Sequence, residues 1–129
     1  MKNILFLFCL VISGFSFAQT DHSEPAYTIA ERMPSFPNGD KELSLFIKEN
    51  LKYPEIKKSD RVTCTAYVTF VVEKDGSLTN IKILRGAQGG PAYDAEACRV
   101  FTIMPKWNPG KQNGNLVRVQ YNYPIKFSY

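Results

Sequence analysis

Hydrophobic and polar residues alternate without a break from Leu116 to Phe127, LVRVQYNYPIKF. Val117, Val119, Tyr121, Tyr123, Ile125 and Phe127 share one face, and Leu116, Arg118, Gln120, Asn122, Pro124 and Lys126 share the other. A period of two sustained this long predicts a strand with one face buried and one wet. Pro124 has no N–H to give a ladder, which places the strand at the edge of its sheet. Such an edge carries unpaired backbone groups and is either a hazard or a docking site.

The same period recurs upstream. Between Thr65 and Glu73, Ala66, Val68, Phe70 and Val72 point one way and Thr65, Tyr67 and Thr69 the other. Lys74-Asp75-Gly76 supplies a hairpin turn, its glycine taking a positive φ. Ser77 to Leu84 is the return strand, with Thr79, Ile81 and Ile83 on one face. Two stretches switch to the helical period. Leu43, Phe46, Ile47 and Leu51 form one apolar stripe of a helix over about Asp40 to Leu51, capped by Asn38 or Asp40 and ended by Asn50 and the Tyr53-Pro54 pair. Ala97, Val100, Phe101 and Met104, joined by Cys98, make the inner face of a second helix, over about Ala92 to Met104, which Pro105 stops. Trp107, held between Pro105 and Pro109, reads as a core lid over the sheet, with an exposed recognition aromatic as the alternative, and Lys111 to Asn115 is a turn.

Helix, strand, strand, helix, strand predicts an α+β two-layer sandwich. Its three-stranded antiparallel sheet carries both helices on one face, with the last strand beside the first. A short extra strand over Tyr27 to Glu31 is compatible with this plan.

Composition narrows the function. The 129 residues suit one domain, and 44% hydrophobic with 22% charged residues is ordinary for a globular chain. A net charge of +4, with no run of five like charges, argues against a nucleic-acid partner. Lys2, the apolar run Ile4 to Phe15 and the small-x-small site Ser16-Phe17-Ala18 predict a signal peptide over residues 1–18. Residues 19–32 then form a short tether and 33–129 the domain. The product is exported and soluble; retention of the apolar run as an inner-membrane anchor is the alternative. Export permits a disulfide between Cys64 and Cys98, and two buried thiols are the alternative. His22, the single histidine, stands in the polar tether with no second ligand near it, so neither metal nor other cofactor is expected. No Ser-His-Asp set or phosphate loop occurs, and Asp75, Asp94 and Glu96 have roles in a turn and a first helical turn. Neither catalysis nor a small-molecule substrate is expected.

Seven pieces carry a resemblance: MPSFPNG at 33–39, NLKYP at 50–54, VTFVVEKDG at 68–76, ILRG at 83–86, DAEACRV at 94–100, MPKWNPGKQNG at 104–114 and YPIKF at 123–127. In this order and spacing they resemble the C-terminal domain of TonB as found in the Bacteroidetes. The resemblance implies a periplasmic domain that grips the TonB box, an extended peptide at the plug of an outer-membrane transporter, by adding it as a strand. It maps the gripping edge onto Leu116, Val117, Arg118, Val119, Gln120, Tyr121, Asn122 and Tyr123. It maps the contact to the receptor plug onto Asn50, Leu51, Lys52, Tyr53 and Pro54. TonB-dependent transporters are thus the expected partners, with a second copy pairing edge to edge as the alternative. Two departures stand out. Cys64 replaces the glycine that usually opens the first strand. A signal peptide and about 15 tether residues, reaching roughly 50 Å, replace the membrane helix and long linker of a force-transmitting TonB.

Overall fold

The computed structural model describes residues 24–129; the expected signal peptide, its cleavage site and His22 lie outside them. Helix α1 (Asp40–Asn50) is followed by strands β1 (Cys64–Val72) and β2 (Leu78–Arg85), helix α2 (Pro91–Thr102), and strands β3 (Gly110–Gln112), β4 (Asn115–Val117) and β5 (Val119–Phe127). The main sheet is antiparallel in the order β2-β1-β5, so the last strand does lie beside the first and at the edge. This is the α+β sandwich that the periodicity predicts.

The core follows from the two periods. Ala66, Val68, Phe70 and Val72 of β1 are all but inaccessible, as are Ile125 and Phe127 of β5. They meet Leu43 of α1 and Tyr93, Ala97, Val100 and Phe101 of α2. Tyr93 extends the stripe of α2 one turn further back, at i−4 from Ala97. Pro91 sits in the first turn of α2, where its missing N–H costs nothing, so the helix begins one residue earlier than expected. Neither helix is capped by a side chain; Gly39 and Gly90 precede them instead. Trp107 is buried as the expected lid, its ring edge-on to Phe36, Phe70 and Tyr121.

Three features depart from the alternation. The long C-terminal run breaks at Arg118, so it is two strands rather than one. Leu116 and Val117 pair with Lys111 and Gly110 in a separate hairpin, turned by Asn113 and Gly114 with φ of 51° and 77°. The break coincides with the burial of Arg118, whose guanidinium clasps Glu73. Second, β2 carries two extra residues against β1, one between Ile83 and Arg85 and one between Thr79 and Lys82. Asn80, at φ 51°, lies in the second bulge. Thr79 therefore stands opposite Val71, off the face that Ile81 and Ile83 share, and its hydroxyl donates to Glu73. Third, Thr69 and Val71 are buried although they face away from the helices. Residues 24–26 pass over them, with a cavity of about 340 Å³ between.

Those residues open a strap that covers much of the expected tether. The Tyr27 N–H donates to the Arg118 carbonyl and the Gln120 N–H to the Tyr27 carbonyl, both at 2.8 Å. Further on, Arg32 exchanges backbone hydrogen bonds with Lys111, and Ser35 with Asn108. Tyr27 forms a single bridge to Val119, running parallel to β5, rather than the short strand allowed by the sequence.

Candidate functional site

Whether an edge can accept a strand depends on which way its backbone groups point. In β5 the register against β1 is one-for-one through nine pairs, from Cys64↔Phe127 to Val72↔Val119. Since the Gln120 N–H points outward to Tyr27, the alternate residues Asn122, Pro124 and Lys126 also face outward. Among the described residues no backbone partner meets their outward groups. Pro124 contributes only a carbonyl. The opposite edge, on β2, is broken by its two bulges, a known way of blunting an edge. The sheet thus presents one regular edge and one irregular one.

The eight residues mapped onto the gripping edge divide into three groups. Leu116 and Val117 belong to the β3–β4 hairpin. Arg118, Val119 and Gln120 meet the strap. Tyr121, Asn122 and Tyr123 lie on the part of β5 beyond the strap. Tyr121 and Tyr123 turn their half-buried rings towards Phe70 and Phe101. Burial, reinforced by Asp40 and Tyr123, raises the pKa of the Tyr121 phenol and keeps it neutral. Asn122 is exposed. Pro124 and Lys126, which the mapping left out, extend the free edge. The alternation already placed them on the same face as Asn122.

The second mapped segment is fastened from both sides. Arg99 Nη2 donates to the Asn50 carbonyl at 2.7 Å, and the Lys52 N–H donates to Glu96 Oε1 at 2.6 Å. Arg99 also binds the Glu96 carboxylate through Nε and Nη2. Tyr53 Oη donates to the Ser128 carbonyl and accepts from its N–H. The Tyr53 ring stands edge-on to Phe127, 5.5 Å away. Leu51 packs against the core, while Lys52 and Tyr53 are exposed and Pro54 is half-buried. The structure therefore brings Tyr53 to the C-terminal end of β5, and the free edge runs between it and the strap. Sequence reasoning gave Glu96 and Arg99 no part in this. Their i, i+3 spacing was the available signal.

Arg99, by hydrogen bonding, holds the Glu96 carboxyl below its ordinary value of 4.5, and burial opposes it. The depressed pKa stabilises the fold above that ordinary value and the gain is lost as pH falls through the lowered one. Glu96→Gln should cost about 1 kcal/mol at neutral pH, a figure reduced by the exposure of Arg99. Urea titrations at about pH 7 and about pH 3 check this. The variant should lose less stability on acidification than the parent, and an equal loss would remove Glu96 from the account.

Cys64 and Cys98 are both free in this structure, Cys64 buried at the start of β1 and Cys98 half-buried on α2. Burial, then Asp94, pushes the Cys98 thiol up. Among the described residues no group of three or more His, Cys, Asp and Glu side chains is placed to hold a metal ion. No helix among them is long and apolar enough to cross a membrane.

A sheet with one open, evenly registered edge has backbone groups that a further strand can meet. The family model described as the Gram-negative bacterial TonB protein C-terminal matches residues 49–129, and the chain belongs to that family. Its members are envelope-associated protein-interaction domains, linked to TonB-type transport and to outer-membrane transporters in general. A comparison with curated proteins finds no match.

Proposed function

We propose that this chain binds an extended peptide of an outer-membrane transporter by strand addition to the outer edge of β5. The observation that carries this reading is the contrast between the two edges: β5 is regular and unpaired beyond the strap among the described residues, and β2 is bulged. Strand addition needs no reactive side chain. Backbone bonds give the affinity, and pockets for alternate side chains give the specificity. Each bond adds about 0.5–1.5 kcal/mol net, so a short peptide binds modestly, as a transient contact requires. In this reading Lys52 and Tyr53, exposed near the far end of β5, touch the transporter plug beyond the peptide. We further propose export with cleavage after Ala18, which a mature mass beginning at Gln19 tests against an uncleaved anchor.

Asn122→Pro tests the edge. The Asn122 N–H points away from β1, so proline there removes a docking donor and leaves the ladder to β1 intact. Titration with transporter plug peptides should show affinity lowered about tenfold, the effect of roughly 1.4 kcal/mol, with an unchanged melting curve. Unaltered peptide affinity would refute strand addition at this edge.

A further inference from the structure

Tyr27 meets β5 through the same kind of backbone bonds that an added strand would use. We propose that the segment 24–27 is an intramolecular occupant of the docking edge, which a long peptide must displace to reach Gln120. This rests on the reading of β5 as the docking strand and adds a control to it.

The strap is held unequally along its length. Beyond the edge it is anchored: Ala30 is 7% exposed and packs on Val117 and Val119, and Arg32 and Ser35 each exchange two backbone bonds with their partners. Over the edge it is held loosely. Tyr27 is 44% and Ile29 81% exposed. Glu24 pairs with Lys74, but both side chains are half exposed and such a pair contributes little. Pro25 and Ala26 roof the cavity above Thr69 and Val71 instead of packing flush on them. The chain bends at Thr28 and Ile29, between the two parts. The first part can therefore lift while the second stays fixed.

Lifting uncovers the Arg118 carbonyl and the Gln120 N–H, and extends the free edge back from Asn122 to Arg118. Arg118 gives up its bond to the Glu24 carbonyl and keeps its clasp on Glu73. The closed strap lowers apparent affinity by the fraction of molecules in which it is seated. The strap precedes residues 49–129, the span that the family model matches. The control is thus carried by sequence outside that span.

The test compares the whole chain with two variants. Tyr27→Pro removes the N–H donated to Arg118 and leaves Ala30, Arg32 and Ser35 in place. A chain beginning at Thr28 removes the occupant altogether; if it does not fold, Tyr27→Pro carries the test alone. The probes are a transporter plug peptide and a peptide copying residues 24–32. Plug-peptide affinity should rise about tenfold in the variants, and amide exchange at Gln120 should quicken without any peptide. An excess of the 24–32 peptide should return the affinity towards that of the whole chain. Equal or weaker affinity in the variants, with binding intact, overturns the occupant and leaves the docking edge standing. Failure of every form to bind the plug peptide overturns both.

Discussion

Arg118→Ala should destabilise the protein by about 3–5 kcal/mol, the cost of removing one partner of a buried ion pair. The Arg118 and Glu73 side chains are 8% and 16% exposed, and Nε approaches Glu73 Oε2 at 2.7 Å. Nη2 completes a two-point clasp at 3.0 Å from Oε1, and Nη1 binds the Glu24 carbonyl. Truncation removes the clasp from a carboxylate that also accepts from the Thr79 hydroxyl. Against a total stability of about 5–15 kcal/mol for a typical domain, the loss is large. Urea denaturation measures it, and a cycle with Glu73→Ala separates the pair from the strap: removing both charges should recover part of the loss. A single-variant loss under about 1 kcal/mol, the range of an exposed pair, would show that the clasp is of little account.

The second large effect is expected at Gly76→Ala. Gly76 has φ of 86°, where a residue with a Cβ is strained by roughly 1–2 kcal/mol. A Cβ there would also fall 2.1 Å from the Trp107 carbonyl oxygen, a backbone atom that cannot swing aside. The Trp107 N–H donates to the Gly76 carbonyl at 2.8 Å, so turn and lid are joined. Moving Trp107 disturbs its packing on Phe36, Phe70 and Tyr121, and the total should exceed about 3 kcal/mol. Gly114 is the control: it has φ of 77° and open space around its missing side chain. Gly114→Ala should cost only the strain. Equal losses in denaturation of the two variants would show that the contact with Trp107 has no weight.

Much of the fold was legible because its signals are local. The stripes of Leu43, Phe46 and Ile47 and of Ala97, Val100 and Phe101 state the two helices. The Lys74-Asp75-Gly76 turn between two alternating runs states the first hairpin. Pro124 states the edge. What escaped was set by contacts distant in sequence. Arg118 reads as one more polar residue on a wet face until Glu73, 45 positions away, is seen to hold it. Residues 24–32 look like a tether because their bonds go to Lys111, Arg118 and Gln120 rather than to each other. The bulges in β2 were invisible to counting by twos, since one extra residue shifts the face of all that follow. The turn over Lys111 to Asn115 was read, but not that its Asn113-Gly114 pair closes a hairpin, which takes Leu116 and Val117 out of the final run. The candidate site was legible in its strand and wet face; its usable length depends on where the strap ends.

The bulges in β2 also set the valence of the molecule. A sheet with two receptive edges can take a partner on each side, and strands or whole copies can then add without limit. With β2 irregular and β5 regular, sheet extension can start on one side only. Occupying β5, whether by a peptide or by a second copy, ends the addition. Any pairing through this sheet would therefore be self-terminating and would give closed complexes rather than fibres.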